Sequence, residues 1–231
     1  MKESIINQLK HSKDILENLK FLAENISGKI VFSTSFGIED QLITDAIFSH
    51  KLTNIEVFTL DTGRLFKETY NTWNITELQY NQKVKTYYPA TETLETFINE
   101  NGINPFYESV DLRKECCHIR KVVPLKRALK GAKVWITGIR AEHSPNRNEL
   151  DIVQWDEQNQ LYKYNPLLHW TNEEVKEYVS KKGIPYNTLH DKGFVSIGCA
   201  PCTRALKEGE DFRAGRWWWE DTTKKECGLH S

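Results

Sequence analysis

The chain of 231 residues carries 31 Lys and Arg against 32 Asp and Glu, a formal charge of -1, and 39% of it is hydrophobic. That length builds one α/β core with an appendage, and the near-neutral balance excludes a global field for nucleic acid, so any anion site must be local. No apolar run approaches the ~20 residues of a membrane span, and the polar opening MKESIINQLKHSKDILENLK reads as an amphipathic helix rather than a leader peptide, which predicts a cytoplasmic protein with no membrane contact.

Gly28 closes that helix, and KIVFSTS (Lys29 to Ser35) is predicted as a buried strand because Ile30, Val31 and Phe32 are β-branched or aromatic. Ile38 to Ser49 follows with helical spacing, then IEVFTLD as a second strand ending on Asp61, and a helix from about Leu65 to Tyr80. KVKTYY gives a third strand before Pro89, and Thr91 to Asn99 a short helix closed by Asn101-Gly102. Leu112 to Leu129 reads as helical around Pro124, and AKVWITG as the next strand. Strands alternating with helices predict an α/β fold: a mostly parallel, twisted, Rossmann-like sheet with helices on both faces.

Beyond Gly138 the rhythm loosens. RAEHSPNRNEL is a polar loop, DIVQWDEQNQLYKYNPL suggests two short strands around a turn, and WTNEEVKEYVSKKG is a helix capped by Thr171 or Asn172 and closed by Gly183. The expected division is a nucleotide-binding body over residues 1–195 and a C-terminal segment over 196–231, short of secondary structure and mobile at its end.

In an open parallel sheet, ligands gather at the carboxyl ends of strands, where helix N-termini present unpaired amides. The first strand runs into STSFGIED, which reads either as a plain strand-to-helix turn or as an anion loop built on Ser33, Ser35 and Gly37. It is neither a G-x-G-x-x-G nor a lysine-bearing P-loop. The neighbouring LDTGRL offers Asp61, Thr62 and Gly63, with an N-cap as the bland reading of Asp61. GIRAEHSPNR adds Arg140 and Arg147, and the C-terminal segment adds Arg213 and Arg216, whose planar forks suit phosphate and sulfate oxygens.

Five cysteines complete the pattern: the vicinal Cys116 and Cys117, the C-x-x-C of Cys199 and Cys202, and Cys227 near the end. Four thiolates suit zinc or an iron–sulfur cluster, and adjacent side chains diverge, which favours a [4Fe–4S] cluster over a single tetrahedral ion. A thioredoxin-like redox pair is disfavoured because GCAPC lacks the strand-to-helix setting of that motif. Cys227 stands among Lys224, Lys225 and His230, a setting that favours thiolate and so a reactive nucleophile rather than an idle thiol. The RWWWE run reads as an apolar anchor for the tail, with partner docking as the other possibility.

Taken together, STSFGIED, LDTGRL, ECCHIRKVVPLKRAL, GIRAEHSPNR, IGCAPCTRAL and GRWWWEDTTKKECGLH resemble the iron–sulfur branch of the APS/PAPS reductase family over nearly the whole chain. The resemblance implies an adenine-nucleotide α-hydrolase-like fold related to the PP-loop ATP pyrophosphatases, and thioredoxin-dependent reduction of adenosine 5′-phosphosulfate (APS) to sulfite and AMP in sulfate assimilation. It implies that Cys227, helped by His230, attacks sulfur and forms an S-sulfocysteine. Reduced thioredoxin, or a glutaredoxin-like reductant, then releases sulfite. Cys116, Cys117, Cys199 and Cys202 would bind the cluster, and Lys121 would couple it to the sulfate. Ser33, Ser35, Gly37, Asp61, Thr62 and Gly63 would hold the nucleotide, with the four arginines on phosphate and sulfate. Three rivals remain: a reductase of 3′-phosphorylated APS (PAPS) or of both, a PP-loop ATP pyrophosphatase, and a non-catalytic redox sensor. A homo-oligomer is compatible with all of them.

Overall fold

The computed structural model describes residues 1–143 and 150–220. The chain divides into two compact units that interleave in sequence: residues 1–59, 68–85 and 131–188 form the first, and residues 60–67, 86–130 and 189–231 the second.

The sheet has six strands: β1 (Lys29–Thr34), β2 (Ile55–Leu60), β3 (Lys85–Tyr87), β4 (Ala132–Ile136), β5 (Val153–Asp156) and β6 (Leu161–Tyr164). Their order is β3-β2-β1-β4-β6-β5. β1 pairs in parallel with β2 and with β4, and β4 with β6; β5 returns antiparallel at the edge. β1 is central, and Ile30, Val31 and Phe32 are buried in succession, as expected of a strand covered on both faces. Because the chain winds outward from β1 in both directions, the order reverses between β1 and β4. Their carboxyl ends form the topological switch point at which open α/β sheets bind ligands.

In the first unit, α3 (Ile38–Ser49) packs on α2 (Ile15–Asn25) and α8 (Asn172–Lys182). α4 (Lys67–Tyr80) also belongs mainly to this unit. Leu19, Leu22, Phe32, Leu42, Ile136 and Tyr164 lie at its core. Thr171 begins α8 with a capping box: its hydroxyl accepts from Glu174 N at 3.1 Å, while the Glu174 carboxylate accepts from Thr171 N at 2.7 Å. Gly183 then stops the helix in the left-handed region at φ 63°.

The single N-terminal helix expected from sequence is two: α1 (Glu3–His11) and α2. Ser12 is extended, and the Asp14 carboxylate accepts from Glu17 N at 2.9 Å, so a side-chain cap replaces continuation of the helix.

The second unit contains α5 (Thr91–Asn101), α6 (Val110–Cys117) and α7 (Val123–Leu129). The helix expected over residues 112–129 is helical throughout but not uniform. Between α6 and α7 lies one π-helical turn, His118–Val122, in which Val123 N donates to His118 O. Pro124 comes directly after that turn, as the second residue of α7, and lacks the N–H that would continue the helical ladder from the preceding turn. Among the described residues, no helix is long and apolar enough to cross a membrane.

Candidate functional site

In the first unit, the loop after β1 enters α3 through Gly37, an N-cap that has no side chain to offer the first turn of the helix. Two acids, Glu39 and Asp40, sit in that first turn and would repel an anion if both were free and charged. Neither is free. Glu39 accepts from Arg140 Nε at 2.9 Å, and Arg140, fully buried, also pairs with Glu142 and donates to the Trp170 carbonyl at 3.2 Å. Asp40 Oδ2 accepts from Ser35 N at 2.6 Å and Ser35 Oγ at 2.7 Å. Burial lifts the Asp40 carboxyl to about 7, against the pull of those two bonds, and nearby Glu39 adds to the rise.

Ser35 and Arg140 were expected to meet substrate oxygens; here Ser35 gives both its donors to Asp40, and Arg140 pairs with Glu39, because two acids in one helix turn require partners. Both residues shape the loop. Ser33 accepts from Trp135 Nε1 at 2.8 Å, which leaves its hydroxyl hydrogen to donate. Phe36, buried at φ 60°, stacks on Trp73 with ring centres 5.4 Å apart and fixes the tip of the loop in a conformation rare for a bulky residue.

In the second unit, Cys116, Cys117, Cys199 and Cys202 line one pocket with Lys121, Arg120, Arg113 and Arg64; its open space, counting that shared with solvent, is about 310 Å³. Two motifs 82 residues apart in sequence (117 to 199) thus meet. Cys117 and Cys202 are buried, Cys116 and Cys199 partly so, and none of the four is in a disulfide. Burial pushes the Cys202 thiol up to about 12, helped by Cys199 and Cys117 and opposed by Lys121 and Arg216. Burial raises Cys116 as well, against Arg120. Among the described residues, no three His, Cys, Asp or Glu side chains converge to hold a single metal ion; the thiols stand around the pocket.

The LDTGRL loop belongs to this unit. Asp61 Oδ1 accepts from Gly63 N at 2.8 Å, closing a turn that Gly63 completes at φ 70°. Thr62, expected on the nucleotide, faces the thiols: its Oγ1 lies 3.3 Å from Cys199 Sγ, and its carbonyl accepts from Arg120 Nη1 at 2.6 Å. Arg216 rests flat on Gly198, where a Cβ would meet its Cζ at 2.7 Å, and lies 4.7 Å from the centre of the Trp217 ring. Arg213 stands 6.0 Å from the same ring. Arg147, Cys227 and His230 lie outside the described residues.

Sequence reasoning missed Arg120 and Trp217. Among the described residues, Arg120 Nε and Trp217 Nε1 are buried with no hydrogen-bond partner. Helical spacing from Cys116 and Cys117 was the available signal for Arg120; the tryptophan run was noticed, but not which ring turns inward.

Solved structures resemble the fold. The crystal structure of phosphoadenylyl-sulfate (PAPS) reductase from Candida auris, a phosphate complex, aligns at TM-score 0.74 and 27% identity, covering 88% of this chain and 98% of its own. Candida glabrata FMN adenylyltransferase bound to ATP aligns at 0.55 and 18% identity, covering 98% of this chain and 77% of that one, a likeness of fold alone. The fold defines an adenine nucleotide α-hydrolase-like α/β protein, here carrying a pocket of four thiols.

A model of the phosphoadenosine phosphosulfate reductase domain matches residues 29–205. A curated relative from Agrobacterium fabrum, called adenosine 5′-phosphosulfate reductase, is 48% identical over 217 residues, covering 94% of this chain and 83% of its own. One of the same name from Rhizobium meliloti is 49% identical over 224 residues, covering 97% and 84%. The chain belongs to the phosphoadenosine phosphosulfate reductase family.

Proposed function

We propose that the protein is a thioredoxin-dependent adenosine 5′-phosphosulfate reductase, an oxidoreductase that forms sulfite and AMP for sulfate assimilation in the cytoplasm. Supporting APS over PAPS are relatives called adenosine 5′-phosphosulfate reductase at 48% and 49% identity across almost the whole chain. The structural observation that carries the reading is the meeting of Cys116 and Cys117 with Cys199 and Cys202 around one pocket.

The residues fit a [4Fe–4S] cluster. Such a cluster takes one thiolate per iron, which suits sulfurs that surround a space, whereas a tetrahedral ion needs them to converge. Four ligating thiolates add negative charge, and Arg64, Arg113, Arg120 and Lys121 border the same pocket. The orphaned Arg120 Nε and Trp217 Nε1 are buried donors of the kind that sulfide or thiolate sulfur satisfies. Cys116, Cys117, Cys199 and Cys202 would hold the cluster, which when bound supplies a rigid scaffold and a local field rather than the reducing electrons.

Catalysis is assigned to Cys227. Its thiolate attacks the sulfur of APS, a sulfur–sulfur bond forms, the sulfur–oxygen bond to phosphate breaks, and AMP leaves with the electron pair. A reduced dithiol, thioredoxin or a glutaredoxin-like protein, then attacks Cys227 Sγ and releases sulfite. Its second thiol resolves the mixed disulfide, so the dithiol supplies both electrons. Ser33, Gly37, Asp61, Thr62 and Gly63 are assigned to the nucleotide loops, with Ser35 and Arg140 holding the first in shape. Arg147, Arg213, Arg216 and Lys121 are assigned to the charge of phosphate and sulfate, and His230 to keeping Cys227 ionised.

Anaerobic sulfite release from APS and from PAPS, with reduced thioredoxin and with iron quantified in the same sample, tests the proposal. Turnover of APS by an iron-bearing protein is expected; sulfite from neither nucleotide overturns it.

A further inference from the structure

Arg113 is fully buried on α6, one turn before Cys116 and Cys117. It forms a two-pronged ion pair with Glu220, Nε to Oε1 at 2.9 Å and Nη2 to Oε2 at 2.7 Å, and the Glu220 side chain is only 4% exposed. Its guanidinium also lies 4.7 Å from the centre of the Trp217 ring. Trp217 itself is buried at φ 43°, packs in one cluster with Phe106, Cys117 and Cys202, and donates its backbone N–H to the Cys202 carbonyl at 3.2 Å. Glu220 N returns to the Trp217 carbonyl at 2.9 Å and closes the turn.

A bulky residue at positive φ persists only where its surroundings hold it there. Here the holding groups are the thiol-bearing segments on one side and a single desolvated ion pair on the other. Such a pair is costly to form and far more costly to leave half broken. Nothing in the anion chemistry requires Glu220, which carries the wrong sign for it.

We propose that Arg113 and Glu220 are positioning residues: their ion pair latches the Trp217 turn against the cysteine pocket. The latch slows loss of whatever the four thiols bind and holds residue 220, seven positions before Cys227 in the sequence. The closed turn keeps Trp217 packed on Cys117 and Cys202. Fixing residue 220 sets the effective concentration of a nucleophile seven positions further along the chain. The second consequence rests on the assignment of Cys227 above; the first does not.

The test compares wild type with Glu220→Gln, which keeps the shape and removes the charge, and with Glu220→Asp, which keeps the charge. Three quantities are measured in anaerobic holoprotein: the rate at which a ferrous chelator removes iron, amide hydrogen exchange of residues 113–117 and 213–220, and kcat and KM for the nucleotide. Glu220→Gln is expected to lose iron at least tenfold faster, to exchange faster in both peptides, and to lose kcat with KM little changed; Glu220→Asp falls between it and wild type. Unchanged chelation and exchange in Glu220→Gln overturn the latch. Should Glu220→Gln fail to fold, the same comparison on Glu220→Asp decides. Wild type isolated without iron overturns the cluster assignment, and exchange of the two peptides then judges the latch by itself.

Discussion

Asp40 Oδ1 occupies the position that a methyl group on Gly138 would need; a Cβ there would also come within 3.2 Å of Asp40 Cγ and 3.4 Å of Glu39 Cβ. The loops after β1 and β4 therefore touch where the strand order reverses, and the absence of a side chain at residue 138 lets the carboxyl reach Ser35. Gly138→Ala is expected to force Asp40 off Ser35 and cost about 1–3 kcal/mol of stability. Nucleotide affinity should fall at least about tenfold, by the rule that 1.4 kcal/mol is a factor of ten. Thermal unfolding and equilibrium binding of AMP measure the two effects.

The raised Asp40 carboxyl makes stability depend on pH. Its folded value of about 7 exceeds the unfolded value near 4, so the folded state binds the extra proton between them. The contribution is complete below about pH 4 and is lost as pH rises toward 7, with a slope of up to about 1.4 kcal/mol per unit. Urea unfolding of wild type between pH 5 and 7 should show this decline, and Asp40→Asn should flatten it. Parallel curves for the two proteins would remove Asp40 from the account.

Cys117→Ser removes one of four sulfurs from the pocket while leaving the first unit untouched. Iron content and the visible chromophore are expected to be lost, with thermal stability of the first unit retained. Iron analysis and absorbance after anaerobic purification provide the measurement.

Cys227→Ser is expected to behave in the opposite way. Iron, colour and APS binding should remain, and turnover should fall by at least about 10³-fold, as when a covalent nucleophile is removed. Mass spectrometry after incubation with APS should find the S-sulfo adduct on wild type and none on the variant.

Much of the architecture was legible because burial on both faces of a strand leaves runs such as Ile30-Val31-Phe32 that no exposed segment would carry. The break at Ser12 was legible too, since Asp14 with Glu17 three residues on is a helix-start signal; the apolar spacing across it drew attention away. The four thiols could be grouped into one site from their ligand chemistry and a resemblance of motifs, although spacing alone says nothing of which loops meet. Arg113 with Glu220, 107 positions apart, left no local trace: each is an ordinary charge on a polar stretch until the fold buries both. The same holds for Asp40, which sits against Gly138 almost a hundred residues away.

The π-helical turn at His118–Val122 amounts to one residue too many in an otherwise regular α-helical run. Deleting a single residue there would let α6 and α7 join as plain α-helix with both ends nearly in register, yet swing Arg120 and Lys121 around the axis relative to the vicinal cysteines. The insertion thus lets a helical rod serve as a swivel: the same scaffold could turn a different pair of cations toward the sulfurs by gaining or losing one codon.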